Sequence, residues 1–248
     1  MRGVILAGGS GTRLDPLTRI TNKHLLPVYD RPMIYYAIQQ LVGAGVDRIM
    51  IVTGGNHAGE FLRLLGNGSD FGLRHLDYAY QAKAGGIAEA LGLAEHFAES
   101  GPTAVLLADN IFEHSIADIV ARFRADPRGA RVVLAEVDNP SSYGVAVFEN
   151  DRLVRIVEKP AEPPSRWAVT GLYLYDARVF EMVKALVPSR RGELEITDLN
   201  NRYLELGELR YERLRGYWAD CGESIDGLLR SNNLVAEHGA NKPLKVPA

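Results

Sequence analysis

Short apolar runs alternate with stretches of helical period through the first half of the chain. Residues 4–7 form an apolar run that breaks into glycines, which predicts a first strand followed by a loop over 8–13. Residues 33–42 carry apolar positions at helical spacing. Residues 48–53 read as a β-rich run closed by Gly54 and Gly55. Helical patterns follow at 58–65, 87–97 and 115–124, and strand patterns at 74–80, 103–107 and 131–137. Strands that alternate with helices predict an α/β fold with a mostly parallel sheet and helices on both faces. Such sheets take ligands at the carboxyl ends of their strands. The loop over 8–13 and Asp109 both follow strands, so one sheet edge is expected to hold both.

The second half is less regular. Residues 143–148 and 152–158 suit a hairpin turning at Glu149-Asn150-Asp151, and 159–165 is a loop because its three prolines exclude regular structure. A strand is expected over 169–175, helices over 180–186 and 196–206, and a last helix over 224–238 with a frayed tail. No repeat or clear linker divides the chain.

Composition narrows the classes. The chain has 248 residues, 46% hydrophobic and 24% charged, with a formal net charge of -3, which is ordinary globular composition and offers no basic field for nucleic acid. Cys221 is the one cysteine, so no intrachain disulfide exists and a reducing compartment is the simpler expectation. No segment reaches membrane-spanning length, and no targeting signal is evident. The expectation is a cytoplasmic protein without a membrane partner.

The loop reads Leu6-Ala7-Gly8-Gly9-Ser10-Gly11-Thr12-Arg13-Leu14. Glycines let a backbone approach a phosphate closely and aim N–H groups at it, and Arg13 adds a planar cation suited to phosphate oxygens. A tight turn with a surface arginine is the plainer alternative. The dinucleotide fingerprint needs a third glycine where Leu14 stands, and the Gly-Lys-Ser/Thr of a Walker A loop is absent. A triphosphate site of another type is implied.

Beyond Arg13 come Pro16-Leu17-Thr18, Asn22-Lys23-His24-Leu25-Leu26-Pro27 and Arg31-Pro32-Met33. Then follow Gln81, Gly86, Leu107-Ala108-Asp109-Asn110, Tyr143-Gly144-Val145, Glu158-Lys159-Pro160, Val169-Thr170-Gly171, Arg191-Gly192-Glu193-Leu194-Glu195 and Trp218-Ala219-Asp220. In that order these motifs resemble the sugar nucleotidylyltransferases, most of all the short-form glucose-1-phosphate thymidylyltransferases, over about residues 2–222. The resemblance implies a Rossmann-like, mixed but mostly parallel sheet flanked by helices. It implies one catalytic domain over 1–222, with a nucleotide-binding lobe over about 1–112 and a sugar-binding lobe over about 113–222. A C-terminal helix and tail would then occupy 223–248. The implied reaction joins dTTP to α-D-glucose 1-phosphate and releases pyrophosphate, with dTDP-glucose going to deoxysugar and cell-surface polysaccharide synthesis. A homo-oligomer, dimer or tetramer, is expected with it.

The same resemblance distributes roles. Leu6, Gly8, Gly9, Gly11, Thr12 and Arg13 would surround the nucleotide, with Gln81 and Gly86 at its base. Arg13, Lys23 and Lys159 would carry the catalytic positive charge. Gly144, Glu158, Lys159 and Val169 would hold the sugar phosphate, and Asp109 and Asp220 would bind Mg²⁺. The chemistry suits these residue types. Both reactants are anions, so catalysis rests on neutralising repulsion and holding them in line, and Mg²⁺ accepts a few carboxylates with phosphate oxygens and water. An amide such as Gln81 can donate and accept at once along a pyrimidine edge.

Several positions keep a structural alternative. Glu195, Thr197 and Asp198 can cap a helix, and Trp218 can pack the core. Cys221 is a small structural neighbour of Asp220, and the lone His24 warrants no catalytic role. UTP or another hexose phosphate is the nearest rival substrate; a non-catalytic sugar-nucleotide-binding regulator is the rival class, and Leu14 disfavours an NAD-dependent oxidoreductase. The chain continues only 28 residues past Asp220, from 248 minus 220, so the regulatory helical segment of longer relatives is expected to be missing and end-product inhibition to be purely competitive.

Overall fold

The computed structural model describes residues 1–9 and 11–244; Ser10 of the glycine loop and the end of the tail, 245–248, lie outside the described residues. The chain folds around one mixed, mostly parallel central sheet. Its first part runs β1 (Arg2–Ala7), the short β2 (Pro27–Val28) and β3 (Arg31–Pro32), α1 (Met33–Gly43), β4 (Arg48–Gly54) and α2 (Ala58–Leu65). It continues through β5 (His75–Gln81), α3 (Ile87–Gly92), α4 (Glu95–Ala98), β6 (Thr103–Leu107) and β7 (Asn110–Phe112). After α5 (Ala117–Ala125) come β8 (Ala130–Glu136), β9 (Gly144–Glu149), β10 (Arg152–Glu158) and β11 (Trp167–Tyr175). The chain closes with α6 (Val179–Lys184), α7 (Ile196–Glu205), β12 (Leu209–Arg213), β13 (Trp218–Asp220) and α8 (Ile225–His238).

β1 sits centrally, parallel to β4 on one side and β6 on the other, and β5 continues the parallel ladder. Period-2 alternation divides β1 between two layers: Val4 and Leu6 pack with α3, α6 and α7, whereas Ile5 and Ala7 pack with α1, α2 and α5. Burial on both faces is why the strand reads as an unbroken apolar run. β11 then crosses antiparallel to β6, β8 and β9, so the second half of the sheet is built on a different pattern. The β9–β10 hairpin turns at Asn150 and Asp151, whose φ values of 48° and 61° are those of a type I′ turn.

The expected helix over 87–97 is two helices. Its apolar period runs on across the break, but Gly92 lies against α6, with Val183 3.2 Å from where a Cβ would stand, and the chain turns there. β12 was not expected. It pairs parallel to β8 on the sheet margin, where its Arg-Tyr-Glu-Arg composition meets solvent on one side. The last helix packs a third apolar cluster: Leu228 and Val235 close over Leu14, Val28, Ile111 and Cys221, tying α8 to the start of the chain.

Candidate functional site

The glycine loop leaves the carboxyl end of β1 through Gly9 and Gly11, both left-handed at φ 98° and 65°. A Cβ on Gly11 would approach the Thr18 methyl to 2.9 Å, and the Thr18 hydroxyl donates to the Gly11 carbonyl at 3.0 Å. Buried Leu14 anchors the following turn over Thr12–Leu14 and leaves Arg13 on the exposed side.

Beside that loop the chain buries a charged pair. The Lys23 ammonium donates to Asp109 Oδ2 at 2.5 Å, with both side chains largely shielded from solvent. Asn22 caps the short turn that carries Lys23 by accepting from the His24 N–H. Asn110 Nδ2 donates to the other Asp109 oxygen, while Asn110 Oδ1 accepts from the Trp218 indole and the Gly171 N–H, so one amide joins β7, β11 and β13. Burial alone would raise the Asp109 carboxyl, but the Lys23 charge and these hydrogen bonds hold it well below the usual carboxylate range. Burial also opposes the Lys23 charge, yet Asp109 outweighs it and raises the ammonium. His24 is enclosed next to them, and burial, then the Lys23 charge, depress its pKa to about 3, so the ring is neutral at ordinary pH. The ring is held by a hydrogen bond between Nδ1 and Asn22 Oδ1 at 2.8 Å.

β13 pairs antiparallel with β7 so that Asp220 lies opposite Asn110, one residue from Asp109. The two carboxylates, separated by 111 positions (220 minus 109), become neighbours through that pairing. Asp220 accepts from the Gly222 N–H at 2.9 Å, and burial followed by the Asp109 charge pushes its carboxyl up. Among the described residues no cation pairs with Asp220 and no group of three or more acidic, histidine or cysteine side chains is arranged to enclose a metal. The adjacent carboxylates of Asp109 and Asp220, with Lys23 paired to Asp109 alone, fit a cation completed by phosphate oxygens and water, which is how Mg²⁺ is commonly held. Gly222 matters here, since a Cβ would stand 2.5 Å from Asp109 Oδ2 and 2.7 Å from Lys23 Nζ.

Gln81 closes β5 and is buried, with Nε2 donating to the Gly86 carbonyl at 3.2 Å. Gly86 has φ 103°, and a Cβ there would meet the Leu194 carbonyl at 2.4 Å; only glycine fits. Leu6, Gly8, Gly9, Lys23, Gln81 and Gly86 line one cavity, which Asp109 also borders.

A second cavity holds the expected sugar-side residues Gly144, Glu158, Lys159 and Val169, together with Arg13 and Asp220. Consecutive strand side chains normally diverge. Here Lys159 itself takes φ 42° where β10 ends, and its N–H donates to the Tyr143 carbonyl, which turns Glu158 and Lys159 toward the same cavity. The bend belongs to Lys159. The Lys159 ammonium lies 3.5 Å from Glu158 Oε1, and the other oxygen, Oε2, accepts from the Thr197 hydroxyl at 2.5 Å. Thr197 is thus a partner of Glu158, and Glu195 makes no side-chain cap on α7 but accepts from Ser189. The capping alternative for Glu195 and Thr197 is overturned. Trp218 likewise does more than pack, through its indole bond to Asn110.

The two cavities share Ile87, Leu107 and Glu193 as a common wall. Gly11 and Thr12 line neither; they shape the loop beneath Arg13. Sequence reasoning gave no role to Arg191, which reaches toward Glu158 at 3.8 Å and Glu195 at 3.7 Å and adds a third cation to the second cavity. The signal was present in the Arg-Gly-Glu-Leu-Glu run, but nothing local says which way such an arginine points.

With that geometry described, comparison with known proteins is informative. The nucleotidyl transferase family model matches residues 2–238. The chain is 49% identical over 226 residues to the glucose-1-phosphate thymidylyltransferase of Neisseria meningitidis, covering 90% of this chain and 78% of that protein. It is 44% identical over 252 residues to the protein of the same name from Mycolicibacterium smegmatis, covering 100% and 86%. A crystal structure from Bacillus anthracis, assigned as a glucose-1-phosphate thymidylyltransferase and complexed with sucrose, matches with a TM-score of 0.91 and 47% identity over 100% of this chain and 98% of that one. A UDP-glucose pyrophosphorylase bound to UDP-glucose matches with a TM-score of 0.81 at 25% identity, over 95% and 98%.

Proposed function

The chain belongs to the nucleotidyl transferase family, and from that premise we propose that it transfers the thymidylyl group of dTTP to α-D-glucose 1-phosphate, giving dTDP-glucose and pyrophosphate. The observation that carries this reading is that two cavities share the wall of Ile87, Leu107 and Glu193, one bearing Lys23 and Asp109, the other Arg13, Lys159 and Asp220, while the β7–β13 pair sets Asp220 beside Asp109. A sugar phosphate oxygen attacks the α-phosphorus, a P–O bond forms, and the bond to the β-phosphate breaks to release pyrophosphate. Lys23 and Arg13 neutralise the triphosphate, and Lys159 holds the incoming phosphate. Glu158, braced by Thr197, accepts from sugar hydroxyls, and Gly144 and Val169 shape the hexose site through their backbone. No covalent nucleophile is needed, because orientation and charge neutralisation supply the rate. Asp109 and Asp220 are the residues that would hold Mg²⁺, which when bound supplies further charge neutralisation at the phosphates.

This reading divides the catalytic unit, 1–222, into a nucleotide lobe over about 1–112 and a sugar lobe over about 113–222, with 223–248 as a closing helix and tail. It also makes the protein a cytoplasmic homo-oligomer. Among the described residues no helix is long and apolar enough to cross a membrane, and mass measurement in solution tests the assembly. The deciding experiment is pyrophosphate release across a panel of triphosphates and sugar 1-phosphates, with and without Mg²⁺. The expected result is strongest turnover with dTTP and glucose 1-phosphate and appreciable use of UTP, since the two triphosphates differ only in the C5 methyl and the ribose 2′-hydroxyl, and one base methyl is worth only ~1–3 kcal/mol in an apolar pocket. A purine triphosphate used equally well would overturn the base assignment. Binding without any pyrophosphate release would make the protein a non-catalytic regulator.

A further inference from the structure

The amide of Gln81 has both of its donors engaged within the protein. One Nε2 hydrogen faces the Gly86 carbonyl at 3.2 Å, and Nε2 also lies 3.5 Å from the Glu89 carboxylate. Oε1 points the other way, toward Gly8, where a Cβ would stand 3.0 Å from it, and Gly8 borders the nucleotide cavity. Among the described residues no donor reaches that oxygen. Flipping the amide would turn its oxygen onto two acceptors, a carbonyl and a carboxylate, and that repulsion disfavours the alternative.

Glu89 can take this position because of Gly85. A Cβ on Gly85 would fall 1.2 Å from Glu89 Oε2, so the carboxylate occupies the space that any other residue would fill with its side chain. Glu89 sits in the first turn of α3, and the turn before it is clamped by Leu194 N–H donating to the Gly85 carbonyl at 2.7 Å and Ala88 N–H donating to the Leu194 carbonyl at 3.2 Å. Carboxylate, glycine gap and clamp converge on one amide.

We propose, on the reading of the nucleotide cavity given above, that Glu89 is a positioning residue: it locks the Gln81 amide with Oε1 toward the ligand, so the site selects a base that offers a ring N–H there. Thymine and uracil present N3–H. Cytosine in the same pose presents a bare ring nitrogen, and its lone pair faces a fixed acceptor.

The test compares dTTP with dCTP at saturating glucose 1-phosphate in the full-length enzyme. The unsubstituted protein strongly prefers dTTP. Glu89→Ala lowers the ratio of kcat/KM for dTTP over dCTP about tenfold, the scale of one misdirected polar contact, through KM for dTTP with kcat nearly kept. Glu89→Gln retains an acceptor oxygen and keeps most of the preference. Gly85→Ala, which leaves Glu89 in the chain but displaces its carboxylate, relaxes the preference as Glu89→Ala does. An unchanged ratio in Glu89→Ala, with the ratio lost in Gln81→Ala, overturns the role of Glu89 while leaving the base site intact. A ratio unchanged in Gln81→Ala as well removes the base-site reading itself. Equal relaxation in Glu89→Gln and Glu89→Ala also overturns the proposal, because an acceptor would then not be what matters.

Discussion

The two charged clusters of the cleft are built in opposite ways. In the first cavity Lys23 and Asp109 meet at 2.5 Å with side chains only 16% and 12% exposed. In the second cavity Glu158 faces Lys159 at 3.5 Å and Arg191 at 3.8 Å, and those cations are 35% and 43% exposed. A buried pair has already given up its water, so each partner depends on the other. A half-exposed cluster keeps much of its hydration and contributes little to stability, but its groups are free to turn onto an incoming anion. On the proposed reading, the contrast sets a fixed electrostatic frame beside the triphosphate and an adjustable one beside the sugar phosphate.

The sharpest way to break this comparison is thermodynamic. Lys23→Met leaves Asp109 buried without its cation and is expected to cost about 3–5 kcal/mol in denaturant unfolding. Arg191→Ala, from the exposed cluster, should cost no more than about 1 kcal/mol. Similar losses for the two would mean that burial does not distinguish the clusters.

Turnover gives the next effect. Asp109→Asn removes charge from the proposed metal site while keeping the shape of the side chain, and at least a roughly hundredfold fall in Mg²⁺-dependent pyrophosphate release is expected from a protein that still folds. Near-normal rates in that variant would remove Asp109 from the metal site.

His24 tests how closed the first cavity is. Its pKa is depressed by burial, then by Lys23, from 6.5 to about 3. A base with a lowered folded pKa contributes stability above its unfolded pKa and loses it as pH falls toward the folded value. Metal-free protein should therefore lose about 2 kcal/mol more than His24→Gln does between pH 6.5 and about pH 5. Parallel pH profiles for the two proteins would show that the ring is protonated without penalty.

The smallest effect belongs to the exposed cluster. Lys159→Ala should raise KM for glucose 1-phosphate about tenfold, the range of one lost charge-assisted bond, with dTTP binding by calorimetry preserved. Loss of dTTP binding in a folded Lys159→Ala protein would merge the two clusters into one.

The same division separates what was legible along the chain from what was not. The parallel strands β1, β4 and β6 were visible because each is largely buried on both faces and reads as a short apolar run, and the hairpin at Asn150-Asp151 announced itself by its turn residues. β12 was hidden because a marginal strand need be apolar on one side only, and its charges read as surface. The break between α3 and α4 was hidden because an apolar helical period does not register a neighbour: Gly92 yields to α6, a contact from about 90 positions further on.

For the site, the glycines and Arg13 were legible from residue type, because phosphate chemistry demands close backbone approach and cations, whereas Lys23, Asp109, Lys159 and Asp220 were named through the order of motifs that resembles the sugar nucleotidylyltransferases. Their arrangement was not in the sequence. The pairing of β13 with β7 sets Asp220 beside Asp109, and the left-handed backbone at Lys159 brings Glu158 and Lys159 into one cavity. The gap at Gly85 lets Glu89 reach the Gln81 amide. Local sequence determines which conformations and charges are available, since propensity and patterning act over a few residues. Which of those charges meet, and which lose their water, depends on contacts between segments up to two hundred residues apart, and only the packed sheet decides that.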